Sequence, residues 1–324
     1  MPAAAASAVQ AVVEAGGPPA ARLLERLEER MARLAGSHGP LLGGYAGDTL
    51  AAGGKRLRPL LVFLAAGAPP PESDGLVRAA VAVELVHSAT LVHDDVLDGS
   101  PLRRGQPTVV ASAGRRMATA TGDLLFSRAF SELAGSGSVL AVRALSRASS
   151  GLAAGELMQR ADAWTAVPVR RYLERCRLKT AVLFRAACEL GAIESGGEAE
   201  ALGRFGEEIG VAFQILDDVL DVSGPPERTG KPRGTDLLDG TVTLPLLLAR
   251  ERDAALADAN LRAVRTPEQA AEICDQITAT GALGDAKQRA LAMITAAKAA
   301  LPELPERQRS ALELIADGVV ERYT

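Results

Sequence analysis

The sequence predicts an all-α fold, and three observations carry that prediction. Hydrophobic residues make up 48% of the chain but aromatics only 3%, so the apolar content is mostly Ala, Leu and Val, which suits close helix-to-helix contact. Apolar residues recur at helical spacing, first at Leu23, Leu24, Leu27, Met31 and Leu34. No segment sustains the alternation of β-branched residues that a sheet requires.

Taken in order, Gly16-Gly17-Pro18-Pro19 sets a leader, residues 1–17, apart from the first clear helix, and this leader is expected to be mobile or loosely docked. Its first thirteen residues carry no basic n-region, so a secretory signal is not expected. Further helices are expected at roughly 41–52, 57–66, 74–98, 114–133, 138–161, 169–193, 197–221, 243–255, 267–277, 280–299 and 306–321. Clusters such as APPPESDG, GSPLRRGQP and SGPPERTGKPRGTD separate them. No composition shift or fixed-period repeat divides the chain, so residues 18–324 are expected to form a single all-helical domain. The uncharged stretch from Pro59 to Pro71 is too short to span a bilayer.

The formal net charge of -4 argues against a nucleic-acid binder, which would show a basic excess. Any anionic ligand must then be met by local basic clusters or by metals. Cys176, Cys188 and Cys274 stand at wide, unpatterned spacings and read as buried thiols in a reducing cytoplasm, the expected location.

One pentapeptide recurs. DDVLD spans Asp94 to Asp98 and again Asp217 to Asp221, each time at the C-terminal end of a long apolar helix pattern. Residues i and i+4 lie one above the other on a helix, so Asp94 and Asp98 share a face with Asp95 about 100° away, and Asp217, Asp218 and Asp221 repeat the arrangement. Carboxylates at this spacing repel one another and meet the negative end of the helix dipole, so a cation must compensate. Hard oxygen ligands without His or Cys select Mg²⁺, and two facing clusters would hold a diphosphate between metals. One such motif alone is more readily a solvated acidic helix end. Two copies flanked by the apolar LVH and FQIL are not. His93, beside Asp94, is expected to pack or hydrogen-bond locally rather than ligate.

The basic residues that would meet a diphosphate stand at glycine-marked places: Gly53-Gly54-Lys55-Arg56-Leu57-Arg58-Pro59, Arg103-Arg104-Gly105, Lys179-Thr180 and Gly230-Lys231. Glycine lets backbone approach a phosphate, arginine supplies paired donors and lysine a point charge.

These motifs resemble the trans-isoprenyl diphosphate synthase, or polyprenyl synthetase, family. The likeness runs from about Gly53 to Pro245 through GGKRLRP, ELVHSATLVHDDVLDGSPLRRGQPT, Gly122-Asp123, GELMQ, Lys179-Thr180, FQILDDVLD and GKPRGTDLLDGTVTLP, in family order. It implies an antiparallel helix bundle around a deep central cavity, usually dimeric, here expected as a homodimer with a heterodimer left open. It also implies Mg²⁺, three ions bridged by diphosphate, with Asp94, Asp98 and Asp217 as main ligands and Asp95, Asp218 and Asp221 contributing directly or through water. Lys55, Arg58, His87 and Arg104 would bind isopentenyl diphosphate; Arg103, Lys179, Thr180, Gln214 and Lys231 would bind the allylic diphosphate. One departure stands out: where many members read GKxTLP, this chain has Gly240-Thr241-Val242-Thr243-Leu244-Pro245, without the lysine.

The implied reaction is ionisation of the allylic C–O bond, attack of the isopentenyl double bond on the cation, and loss of a proton to the released pyrophosphate, with no protein nucleophile. The growing chain would run along the first acidic helix toward its N-terminus, past Thr90, Ala89 and Val86, the expected chain-length positions. No aromatic lies between Leu76 and His93; at ~1.5 Å of rise per residue this leaves room for several isoprene units, and a product of roughly thirty to fifty carbons is expected. Phe63, Phe126 or Phe130 on another helix would close the tunnel sooner and give a farnesyl or geranylgeranyl product. A class I terpene cyclase and a non-catalytic partner subunit are the rival readings. The second DDVLD disfavours the former, and both motifs being intact disfavours the latter. Membrane contact is expected at most transiently, on release of an oily product.

Overall fold

The computed structural model describes residues 11–35, 39–51, 53–54, 56–67, 74–225 and 232–321. Among these residues the chain is helical apart from one two-stranded hairpin, in keeping with the periodicity. Helices α1 (Pro18–Ala35), α2 (Gly39–Ala51), α3 (Leu57–Ala65) and α4 (Asp74–Asp98) lead to β1 (Leu102–Arg103) and β2 (Gln106–Pro107). Then come α5 (Val109–Ala134), α6 (Val139–Ala161), α7 (Val169–Cys176), a π-helical turn at Arg177–Ala181, and α8 (Val182–Ser195). The chain closes with α9 (Ala199–Ser223), the short α10 (Thr235–Leu238), α11 (Leu244–Arg250) and α12 (Ala254–Asp258), then α13 (Pro267–Ala279), α14 (Ala282–Ala299) and α15 (Glu306–Glu321).

Small side chains set how closely these helices pack. Ala79, Ala80, Ala82 and Ala89 of α4 are fully enclosed, as are Ala118 and Ala129 of α5, and α4 and α5 form an extensive pair. Helix α8 touches α3, α4, α6 and α9, so it stands between the two long helices that end in DDVLD. Helix α4 is long and apolar enough to cross a membrane, yet 72% of its apolar window is buried in the bundle, the signature of a core helix. Charged braces join the layers: Arg30 of α1 reaches Asp74 of α4 and Glu132 of α5, and Arg185 of α8 reaches Glu189, Glu200 and Glu207.

Within the leader, residues 11–16 are helical, Val12 is buried, and Arg307 of α15 donates to the Ala15 carbonyl at 3.1 Å. That part is docked; residues 1–10 lie outside the described residues. Three further departures from the expected elements have local causes. Arg104 and Gly105, both with positive φ (53° and 78°), close a hairpin within the GSPLRRGQP connection. The segment expected as one helix at 169–193 is widened at Arg177–Ala181, where Val182 N–H bonds the Arg177 carbonyl. The segment expected at 243–255 breaks after Arg250, because Asp253 caps a new turn by accepting from Leu256 N–H.

Candidate active site

The first acidic motif ends α4, and its carboxylates have different fates. Asp95 is buried and takes Arg103 through Nε at 2.9 Å and Nη2 at 2.8 Å. Asp98 is exposed and accepts from Arg160 Nη2 of α6 at 2.8 Å. Asp94 is partly enclosed; burial pushes its carboxyl up to about 6, opposed first by the Lys179 ammonium and reinforced by Glu156 and Asp98. His93 serves packing, as expected: its Nε2 lies 3.3 Å from the Thr119 carbonyl and 3.4 Å from Asp123, and its ring stacks on Phe126 at 5.8 Å. A Cβ at Gly122 would fall 2.2 Å from His93 Nε2, so a larger residue there would push the imidazole out of its present seat.

The second motif ends α9. Asp218 is buried, and both its oxygens are engaged: Oδ2 accepts from the Tyr172 hydroxyl at 2.7 Å and Oδ1 from Gln214 Nε2 at 2.8 Å. Burial raises its carboxyl to about 7 against the pull of these two bonds, with Asp217 raising it further. Burial and the Asp218 charge also hold the Tyr172 hydroxyl well above its usual range, so it stays a donor. Asp221 is buried and accepts from Asp236 N–H at 3.2 Å, tying the motif to α10. Asp217 keeps a partly exposed position on the same helix end.

The π turn joins the two ends. Lys179 donates to Glu156 Oε2 at 2.7 Å and is the leading charge that favours ionised Asp94. Its neighbour Thr180 donates to Gln214 Oε1 at 2.6 Å, and Gln214 goes on to Asp218. Regular helix would place successive side chains 100° apart; the wider turn lets Lys179 serve α6 and α4 while Thr180 serves α9. A Cβ at Gly155 of α6 would lie 2.5 Å from Lys179 N, so the close seat of this turn also depends on a glycine.

A basic cluster lies on the hairpin side. Burial, then the charges of Arg58, Arg104, Arg103 and Arg56, hold His87 well below the usual imidazole range. Arg58 stands 4.7 Å over the Phe184 ring. Arg104, at the hairpin tip in the left-handed region that non-glycine residues avoid at a cost of about 1–2 kcal/mol, lies beside Gly54. Arg56 is a clamp, bonding Glu28 at 2.6 Å, Glu84 at 2.7 Å and the Leu50 carbonyl at 3.1 Å. The structure thus brings Arg58, Arg103 and Arg104 to bear on His87, and Thr180 and Gln214, with Lys179 beside them, to Asp218; Lys55 and Lys231 lie outside the described residues.

Among the expected chain-length positions, Val86 and Ala89 are fully enclosed, and Thr90 is partly exposed one turn before Asp94, its hydroxyl donating to the His87 carbonyl at 2.7 Å. Around Thr241 the chain is fixed by backbone and by a buried arginine. Thr241 N–H donates to the Asp236 carbonyl, Trp164 N–H to the Gly240 carbonyl, each at 2.7 Å, and Arg175 donates to the Val242 carbonyl. Sequence reasoning missed three residues: Glu156, Arg160 and Tyr172. GELMQ was legible as a motif, but nothing in it said that Glu156 would meet two cations from different places in the chain.

The description "Polyprenyl synthetase" belongs to the family model that matches residues 40–280. The chain belongs to the polyprenyl synthetase family. It is a trans-prenyl diphosphate synthase, as the motifs implied. Component 2 of heptaprenyl diphosphate synthase from Geobacillus stearothermophilus is 44% identical over 230 residues, 70% of this chain and 72% of that protein. Geranylgeranyl diphosphate synthase from Methanosarcina mazei is 37% identical over 281 residues, 84% of this chain and 86% of that protein. The crystal structure of a polyprenyl synthase from Caulobacter crescentus CB15, complexed with calcium and isoprenyl diphosphate, superposes with a TM-score of 0.87 at 37% identity, covering 98% of each chain. The all-α class with the isoprenoid synthase architecture is therefore shown.

Proposed function

We propose that this synthase is Mg²⁺-dependent and repeats the isopentenyl addition to give a polyprenyl diphosphate of roughly thirty to fifty carbons. The observation that carries the reading is the line of side chains from Asp94 past Lys179 and Thr180 to Gln214 and Asp218, which couples the two acidic helix ends. Among the described residues no group of three His, Cys, Asp or Glu side chains is placed to hold a metal ion by itself, so a cation here would need oxygens of the substrate to complete its coordination. The all-oxygen donor set fits magnesium, and Asp94, Asp98 and Asp217 would hold it. When bound, it would neutralise and polarise the diphosphate leaving group.

The chain's own groups account for the rest. Lys179, Thr180, Gln214 and Arg103 would grip the allylic diphosphate, with Lys231; the Lys179 ammonium would shift from Glu156 to the departing oxygen. Arg58, His87 and Arg104, with Lys55, would hold isopentenyl diphosphate, His87 entering as a neutral ring. The enclosed apolar wall of α4 would exclude water from the carbocation. Thr241 in place of the family lysine leaves the allylic side to Lys179, Arg103 and Lys231.

Chromatography of the product made by the purified chain from farnesyl and isopentenyl diphosphates tests the reading. Products of roughly thirty to fifty carbons are expected; a clean stop at geranylgeranyl diphosphate would overturn the length. The length rests on the absence of an aromatic floor along α4. The enclosed Val86 and Ala89, with the Methanosarcina relative, favour the shorter product as the second reading. A homodimer is proposed as the working assembly; since the Geobacillus relative is named a component, inactivity of the chain alone would indicate a second subunit.

A further inference from the structure

The side chains that would meet metal and diphosphate are held by one another in an unbroken chain. Arg160 bonds Asp98 Oδ1 through Nη2 at 2.8 Å and Glu156 Oε1 through Nε at 2.7 Å, while Lys179 bonds the other Glu156 oxygen at 2.7 Å. Two carboxylates and two cations make this chain neutral as a whole. Its ends are unlike. The Arg160–Asp98 pair is open to solvent, with side chains 44% and 35% exposed, whereas Glu156 and Lys179 are more enclosed, at 20% and 29%. The enclosed end is built into the backbone, because Gly155 seats the turn that carries Lys179. An ion pair in water is easily traded for another partner, whereas an enclosed pair fixes geometry.

We propose that Glu156 and Arg160 are positioning residues forming a counter-ion latch, in which Arg160 competes with the divalent cation for Asp98 and Glu156 holds the Lys179 ammonium ready for the diphosphate. The inference rests on the metal-dependent reading above. Arrival of a cation at Asp98 and of a diphosphate at Lys179 exchanges partners without leaving a charge unpaired. Arg160, once displaced, stays bonded to Glu156 and balances the charge that Lys179 gives up.

The test measures binding of Mn²⁺ by paramagnetic resonance, with inorganic pyrophosphate present, to the full wild-type chain and to Arg160→Gln, Arg160→Lys and Glu156→Gln. Arg160→Gln should bind Mn²⁺ roughly two- to fivefold more tightly, the size that an exposed ion pair supports, and Arg160→Lys should restore wild-type affinity. Glu156→Gln should lower both kcat and the KM for the allylic substrate, since Lys179 loses its seat and the diphosphate loses a competitor; a merely structural loss would raise KM. Unchanged or weaker Mn²⁺ binding by Arg160→Gln would overturn the latch, and Arg160→Met supplies the same comparison should the glutamine variant not fold. Failure of the wild type itself to bind Mn²⁺ with pyrophosphate would instead overturn the metal-dependent reading, and the latch with it.

Discussion

At the end of α4, Asp95 and Asp98 are each met by an arginine, Arg103 and Arg160; at the end of α9, Asp218 is met by a tyrosine hydroxyl and an amide, and Asp221 by a backbone N–H. The same five residues thus sit in opposite chemistry. A partly exposed arginine can be exchanged for another cation at small cost, whereas a neutral donor aimed at a buried carboxylate leaves an unsatisfied group behind when it goes. The exposed Arg160–Asp98 pair of the first end is suited to partner exchange, and the buried bonds of the second to holding the bundle in register. Identical sequence does not mean identical use.

The contrast can be broken at five positions. Asp94→Ala and Asp217→Ala should each lower turnover by roughly 10³-fold, the scale of losing a main electrostatic group, with helical circular dichroism unchanged; a variant retaining most of its activity would remove that residue from the site. Tyr172→Phe strips a donor from buried Asp218 and should cost about 1–3 kcal/mol in urea unfolding; wild-type stability would mean that the second end is as exchangeable as the first. Ala89→Phe should shorten the product by about one or two isoprene units, as a side chain pointing along a ~1.5 Å per residue rise would block the α4 wall; an unchanged product spectrum would move the chain to another face.

The smallest effect concerns pH. His87 lies two turns before Asp94, and burial with the surrounding arginines depresses its imidazole below the ordinary 6.5. The unfolded chain therefore binds the proton first, so this group's contribution to stability is lost as pH falls below about 6.5. His87→Gln should flatten the melting temperature profile between about pH 7 and 5. An unaltered slope would mean that the arginine cluster does not act on the ring.

Much of this architecture was legible because helical periodicity is local. Asp74–Asp98 emerged with the boundaries expected from its apolar pattern, and α6, α14 and α15 within a residue or two. The acidic ends were legible because five identical residues in apolar surroundings demand an explanation. What escaped depends on partners remote in sequence. RLKTA reads as ordinary helix, and its widening reflects Gly155 on one side and Gln214 on the other. Tyr172 looked like one more residue on a helix face until the fold brought it to Asp218, 46 positions away. Arg104 and Gly105 looked like a loop because a hairpin with two residues per strand is too short for alternation to register.

The turn at Arg177–Ala181 holds one residue beyond the regular repeat, so α7 and α8 run out of phase by about 100°. Loss of any one residue there would leave two sound helices yet rotate everything upstream as a block, carrying Tyr172 off Asp218 in a single step. Point substitution can reach no such state, and no half-way rotation exists between the two phases. The count of residues from Tyr172 to Thr180 therefore matters to this fold as a whole number, because only that number delivers Tyr172 to Asp218 and Thr180 to Gln214 together.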